Sequence, residues 1–268
     1  MRTSTGTRLT LRTVALGYLF ALVVVPLLVI LYRTFERGIG AFIESISTPA
    51  AISALHLSLL IVAIVVPVNV VFGVTTALAL VRGRFPGRNV VQAVVDLPFA
   101  VSPIVIGVSL ILLWGVDGWF GAFEQTGVRV IFGFPGLVLA TIFVTLPFVV
   151  REVEPVLQEI GDEQEQAAVT LGASRWQTLW RITLPAIRWG LTYGVVLTVA
   201  RSLGEFGAVI MVSSNFPGVS QTLTLLVHSR YIDDHNTYGA YCAATLLMAI
   251  AVIVLALMTL LDRKRSTR

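Results

Sequence analysis

The feature that most limits the possible folds is the length of the apolar segments that carry no charge. The stretch from Ser45 to Val81 contains no Asp, Glu, Lys or Arg. A helix needs about 20 apolar residues to cross the hydrocarbon core of a bilayer. Over the whole chain, 56% of the residues are hydrophobic and 13% are charged, about half the charged fraction of a soluble domain. These values exclude a cytosolic enzyme and a disordered chain and predict an all-α membrane protein.

Six segments are long and apolar enough to cross the membrane, which predicts a six-helix transmembrane bundle within one domain, residues 1–268. The predicted spans are approximately 14–32, 57–80, 90–114, 130–150, 189–212 and 237–261. The first apolar run is longer than the core of a signal peptide, so it is interpreted as a retained helix. The single cysteine, Cys242, forms no internal disulfide, so the fold does not depend on redox chemistry.

The distribution of basic residues predicts the orientation of the chain, because Arg and Lys concentrate in cytoplasmic loops. With both termini inside, four basic residues lie outside, namely Arg33, Arg37, Arg129 and Arg230, and Arg201 lies within a span. The other fourteen lie on the cytoplasmic side: Arg2, Arg8, Arg12, Arg82, Arg84, Arg88, Arg151, Arg175, Arg181, Arg188, Arg263, Lys264, Arg265 and Arg268. We therefore expect a multi-pass protein of the cell membrane with a cytoplasmic N-terminus and a cytoplasmic C-terminus.

The fifth predicted span contains two charges, Arg201 and Glu205, spaced four residues apart on one face of a helix. A charge inside a membrane is costly and normally faces a bundle interior or water. Arg201 either guides an anion or neutralises Glu205, and the sequence leaves both roles open. Small residues at Ala200, Gly204 and Ala208 predict close packing of another helix against this span.

Pro98 and Pro103 lie close together in the third predicted span. Proline removes a backbone donor and bends a helix, and lipid cannot satisfy the carbonyl groups that are freed. The pair favours a packed bundle around a pathway.

The sequence contains no motif that predicts catalysis or a metal site. It lacks His-Glu-x-x-His, Gly-x-Ser-x-Gly and a phosphate-binding Walker loop. The three histidines fall on the predicted external side without cysteine partners. We expect no catalytic residue, no metal and no cofactor bound by this chain, so any energy source must act through another chain.

The longest predicted cytoplasmic loop, residues 151–188, has an acidic first half and a basic second half. Its pattern predicts a helix that continues to Leu171, a turn at Gly172, and a second helix capped by Ser174. Pro185 predicts a break before the fifth span. A helix–turn–helix also describes a DNA reader, but an acidic first helix fixed between two spans favours docking of a cytoplasmic protein and no nucleic acid.

This loop resembles the Glu-Ala-Ala-x3-Gly-x9-Ile-x-Leu-Pro motif of permease subunits in ATP-binding-cassette (ABC) importers. The residues that carry the resemblance are Gln166, Ala167, Ala168, Gly172, Ile182, Leu184 and Pro185. Gln166 stands where the family usually has Glu, and Glu165 lies beside it. The resemblance implies a cytoplasmic coupling helix that docks on an ATP-binding subunit.

Three further segments resemble the sulfate/molybdate permease group, namely 97–107, 171–189 and 200–215, and residues 188–198 look most like the CysW type. This resemblance implies a permease that forms half of the pathway of an ATP-driven sulfate/thiosulfate importer. The implied partners are a second permease of CysT type, a dimer of ATP-binding subunits that holds the ATP, an extracytoplasmic sulfate-binding protein and membrane lipid. The alternatives are a molybdate/tungstate importer permease and a membrane scaffold or sensor without transport.

Overall fold

The computed structural model describes residues 5–122, 127 and 129–266, and within these residues the chain is helical and contains no strand. The helices in chain order are α1 (Thr5–Leu19), α2 (Val25–Phe35), α3 (Gly38–Ile46), α4 (Pro49–Arg82), α5 (Arg88–Ala100), α6 (Pro103–Trp114), α7 (Phe134–Ile160), α8 (Glu163–Thr170), α9 (Arg175–Thr178), α10 (Leu184–Leu203), α11 (Gly207–Val212), α12 (Leu223–His228) and α13 (Thr237–Ser266). Of three π-helical turns, Phe20–Val24 joins α1 to α2 and Leu179–Thr183 joins α9 to α10, whereas Ser229–Asp233 extends the end of α12.

The prediction of an all-α bundle is confirmed. In the described part of the chain, five helical rods are long and apolar enough to cross a membrane, and the bent pair α5–α6 gives a sixth if it counts as one span. The first, second and sixth predicted spans lie within Thr10–Phe35, Pro49–Arg82 and α13. The predicted cytoplasmic residues Arg2 and Arg268 lie outside the described residues.

The centre of the bundle is formed by α4, α7 and α10, which approach closely at glycines. A β-carbon on Gly73 of α4 would lie 2.6 Å from Cβ of Val149 on α7. A β-carbon on Gly190 of α10 would lie 2.6 Å from the backbone oxygen of Glu152. At the same interface, the buried Asn69 amide donates a hydrogen bond to Thr145 Oγ1 at 2.6 Å. Small residues let backbones meet, and polar side chains then bond across the helices.

The third predicted span, 90–114, corresponds to the bent helix pair α5 and α6. The chain breaks at Val101 and Ser102, which adopt extended backbone conformations, and the two halves are bent by 114°. The break precedes Pro103, whose ring disfavours a helical conformation at the preceding residue.

The fourth predicted span was placed too short, whereas the loop helix expected to end at Leu171 is present as α8, Glu163–Thr170, with Leu171 at its C-terminal cap. Helix α7 continues through the predicted loop to Ile160, because Val153 and Leu157 remain buried against Leu80 and its neighbours. At 1.5 Å per residue it is about 40 Å long and extends beyond a bilayer core of about 30 Å. Gly161, with φ of +65°, then ends the helix before α8 begins.

The break predicted at Pro185 does not occur, and the fifth span begins and ends earlier in the sequence than predicted. One continuous helical rod, called the long rod below, runs from Arg175 to Leu203. The π-helical turn ends at Thr183, and Pro185 is the second residue of the α-helical segment that follows, where proline is tolerated because the first turn needs no backbone donor. The rod ends at Gly204, so Ala208 lies in the separate helix α11 and the expected stripe with Ala200 does not form on one helix.

Arg230, predicted among the outer basic residues, is buried and bonds to two different helical segments. Its guanidinium donates to the backbone oxygens of Gly239 at 3.0 Å and Ser45 at 3.2 Å, and to Thr48 Oγ1 at 2.8 Å. Burial lowers the pKa of Arg230 from its ordinary value. These acceptors join the segments before α4 and at the start of α13, so a charge satisfied by neutral oxygens holds two spans together.

Candidate functional site

Helix α8 is a short exposed helix that ends in a tight glycine turn. The amide of Gly172 donates to the Val169 oxygen at 2.9 Å, and the amide of Ala173 donates to the Ala168 oxygen at 3.0 Å. Gly172 adopts φ of +88°. This pair of bonds is the Schellman arrangement, which uses the left-handed conformation that glycine adopts without strain.

The next helical segment begins with a reciprocal cap. Ser174 Oγ accepts from the Gln177 amide at 3.3 Å, and Gln177 Oε1 accepts from the Ser174 amide at 2.9 Å. Such a capping box satisfies two donors at a helix start. The glycine turn therefore ends α8, and the cap begins the next helical segment, as the sequence predicted.

Large apolar side chains are exposed around this turn. Leu171 is 90% exposed and Trp176 is 67% exposed, and Trp176 packs edge-on against the exposed Trp180 at 5.6 Å between ring centroids. An exposed apolar patch with a polar surrounding marks an interaction surface. The exposed face formed by Val169, Leu171, Trp176 and Trp180 is called the docking face below.

The seven residues of the predicted coupling motif divide into two groups. Gln166, Ala167 and Gly172 are exposed on α8 and its turn, and Ala168 is half-buried. Ile182 and Leu184 are half-buried at the base of the long rod, where Leu184 packs against the core, while Pro185 is exposed. The first group forms a surface for contact, and the second group joins that surface to the span.

Glu165 is the residue of α8 that bonds to the rest of the bundle. Its Oε2 lies 3.1 Å from Arg82 Nε at the end of α4, and its Oε1 accepts from Thr183 Oγ1 at 2.8 Å. Arg82 also donates to the backbone oxygen of Gly161. A cleft of about 620 Å³ opens beside these groups, between α4, α8 and the start of the long rod.

Arg201 and Glu205 form an ion pair, although the expectation that they share one helix is wrong. Arg201 Nη2 lies 2.7 Å from Glu205 Oε2, but Glu205 follows the end of α10. The Arg201 side chain is 34% exposed and that of Glu205 is 1% exposed. Glu205 Oε1 accepts from the Ala208 amide at 2.8 Å, and its backbone oxygen accepts from Thr224 Oγ1 at 2.8 Å. Through these bonds, Glu205 connects the break between α10 and α11 with helix α12.

The two helix breaks in the bundle lie against each other. A β-carbon on Gly207 would lie 3.0 Å from Cβ of Pro103, and one on Gly107 would lie 2.6 Å from Cβ of Met211. A small cavity is lined by six polar residues, Ser58, Thr141, Ser202, Glu205, Thr222 and Thr224, together with Ile61, Leu203 and Val209. Broken helices with polar groups at membrane depth are typical of transport pathways.

Sequence reasoning missed three parts of this site: the anchoring role of Glu165, the exposed Leu171, and the contact between the two breaks. The pairing of Glu165 with Arg82 joins residues 83 positions apart, and no local pattern indicates it.

The fold and the site together define a class of protein: a multi-pass membrane component of a transporter, with a short exposed helix between two of its spans. Comparisons with known proteins agree. The chain is 46% identical to the sulfate transport system permease protein CysW of Synechocystis sp., over 93% of this chain and 91% of that protein. It is 35% identical to CysT of the same organism, over 93% of this chain and 87% of that protein.

The fold is that of solved ABC importers. A bacterial ABC transporter that imports the acidic polysaccharide alginate matches with a TM-score of 0.80 at 16% identity, covering 96% of this chain and 95% of that chain. The model of the binding-protein-dependent transport system inner membrane component family matches residues 69–267. The chain belongs to this family, and is therefore a permease and not an enzyme.

Proposed function

We propose that this chain is the CysW-type permease subunit of an ATP-driven importer for sulfate and thiosulfate. The observation that carries the proposal is the greater similarity to CysW than to CysT of one organism, across almost the whole chain. Two different permease proteins in that organism's sulfate system support a pathway formed by two unlike subunits. The chain works with a second permease and with a binding protein that delivers the anion.

The finer assembly is part of the proposal. The second permease is of CysT type, the binding protein is an extracytoplasmic sulfate-binding protein, and a dimer of ATP-binding subunits carries the ATP. This chain itself binds no cofactor and no metal. It lies in the plasma membrane of a bacterium, surrounded by lipid, with both termini in the cytoplasm.

The ATP-binding subunit docks on α8 and the docking face, through Gln166, Ala167, Ala168 and Gly172. Ile182, Leu184 and Pro185 carry the movement into the long rod. ATP binding draws the two coupling helices together and opens the pathway outward, and hydrolysis returns it inward. Such coupling needs a partner with different affinity for the two states. Support for this assignment comes from the capped, exposed geometry of the segment.

The test is uptake of radiolabelled sulfate by cells with and without this chain, with thiosulfate and molybdate as competitors. Loss of ATP-dependent uptake without the chain, with competition by thiosulfate in its presence, is the expected result. Unchanged sulfate uptake with lost molybdate or tungstate uptake would replace the proposed cargo. A chain that binds a cytoplasmic partner but moves none of these anions would be a scaffold or sensor.

A further inference from the structure

Helix α8 has almost no packing that could transmit its movement to the spans. Within the described residues, none of its side chains is fully buried. Glycines with positive φ stand at both ends, Gly161 at +65° and Gly172 at +88°. A helix between two such glycines pivots unless a side-chain contact fixes it.

Glu165 supplies that contact with each of its two carboxylate oxygens on a different span. One oxygen accepts from Arg82 at the end of α4, and the other accepts from Thr183 in the π-helical turn that precedes α10. The carboxylate and guanidinium are largely shielded, with 20% and 22% of their side chains exposed. In the part of the chain that the structure describes, no other α8 side chain bonds to another helix.

We infer that the node of Glu165, Arg82 and Thr183 is the mechanical link between the docking helix and the transmembrane spans, so that Glu165 is a positioning residue for coupling. This inference rests on the proposed function. Arg82 also holds the backbone oxygen of Gly161, so the node fixes the pivot at the start of α8 as well. A displacement of α8 by a bound partner then moves α4 and the long rod together.

The node also accounts for the departure at Gln166. In α8 the neighbouring residue, Glu165, faces the bundle and makes the internal bonds, whereas Gln166 is exposed beside the cleft. The internal link needs a carboxylate because it must accept from a cation and a hydroxyl in two directions. The exposed position needs no charge for this role.

The test measures sulfate transported per ATP hydrolysed in proteoliposomes that contain the whole importer. Glu165→Gln removes the charge opposite Arg82 while it keeps an acceptor for Thr183. We expect assembly and basal ATP hydrolysis to persist while the transport ratio falls about fivefold or more, the size of a modest allosteric coupling. Glu163→Gln is the matched control, because Glu163 lies on the same helix, is exposed, and has no polar partner among the described residues.

A double-mutant cycle with Arg82→Gln separates a shared link from two independent defects. If both residues act through one node, the transport ratio of the double variant equals that of the single variant with the lower ratio. Thr183→Val keeps the ion pair and should give a smaller fall in the same ratio with assembly intact.

Three results would overturn the inference. A Glu165→Gln importer with the transport ratio of the Glu163→Gln control would leave the proposed function standing and remove the link. Poor assembly of the Glu165→Gln complex, together with a normal transport ratio in Thr183→Val, would show that the node only stabilises the folded complex and does not couple it to ATP hydrolysis. An unmodified complex that transports no sulfate would refute the proposed function, and the inference with it.

Discussion

Arg201 and Glu205 differ in solvent exposure, and this difference indicates different roles for the two residues. Glu205 is buried, and one of its carboxylate oxygens accepts from the backbone amide of Ala208 in α11. Glu205 therefore stabilises the fold. Arg201 contacts Glu205 through one nitrogen of a guanidinium that carries five donors. Its remaining donors bond to no group within the described residues, and one-third of the side chain is open. Arg201 therefore has the geometry to neutralise Glu205 and to meet an anion.

Replacing Arg201 by Ala should lower sulfate uptake, because it leaves the buried Glu205 without its counter-charge and removes a partly exposed cation that could meet the anion. Combining Arg201→Ala with Glu205→Gln removes the unpaired charge and keeps an acceptor for the Ala208 amide. We expect the double variant to recover its amount in the membrane while uptake stays about tenfold low, a loss typical of a charged contact. Immunoblots and initial uptake rates measure the two effects. Normal uptake by the double variant would show that Arg201 only neutralises Glu205.

Gly172 combines a left-handed backbone conformation with a place in the proposed docking segment. Gly172→Leu forces a branched side chain into φ of +88°, which costs about 1–2 kcal/mol, and adds bulk to the docking face. We expect uptake to be lost and co-purification of the ATP-binding subunit to weaken. Gly38→Leu is the matched control, because Gly38 has φ of +84° and equally open surroundings but lies outside the docking face. Full transport by Gly172→Leu would refute the assignment of α8 as the coupling helix.

At the scale of elements, the contact between the two broken spans depends on a missing side chain. Gly107→Ala would place a methyl group 2.6 Å from Met211 Cβ and 2.8 Å from the Ala208 oxygen. Overpacking of this kind costs about 1–3 kcal/mol, so we expect a lower midpoint of thermal unfolding for the purified complex. Gly40→Ala, where nothing lies within 4 Å, should leave the midpoint unchanged. Equal midpoints for the two variants would show that α6 and α11 do not depend on this close approach.

The elements that sequence reasoning placed well are those set by local chemistry. Uncharged length identified the first, second and sixth spans, and Gly172 with Ser174 identified the turn and cap. The boundaries that it placed wrongly were decided by tertiary packing. Helix α7 continues because Val153 and Leu157 find buried partners, and their spacing of four residues from Val149 was a readable signal.

Proline misled the prediction in one place and helped it in another. Pro185 follows a π-helical turn and leaves its rod intact, whereas Pro103 follows an extended residue and stands at a sharp bend. The difference depends on the conformation of the preceding turn, which the identity of the proline does not specify. The four-residue spacing of Arg201 and Glu205 likewise does not show that the helix ends between them, so it could not reveal that they pair across a helix end.

At the scale of the whole molecule, the first span stands apart from the bundle. No residue in the most apolar window of Thr10–Phe35 is buried, whereas more than half of the corresponding window of α7 is. Apolar side chains in this position face lipid or another membrane subunit. A central bundle with an exposed outer helix is consistent with a subunit that completes its pathway only beside a second permease.

The proposed orientation can be tested because the chain has one cysteine, Cys242, and it is buried. The unmodified protein should therefore resist a membrane-impermeant maleimide. Gln164→Cys in α8 and Asp234→Cys after the outer π-helical turn introduce single exposed thiols at the two ends of the molecule. The positive-inside rule predicts labelling of Asp234→Cys in intact cells, and labelling of Gln164→Cys only after the membrane is permeabilised. The reverse pattern would place α8 outside the cell, where no ATP-binding subunit could reach it, and would refute both the orientation and the docking proposal.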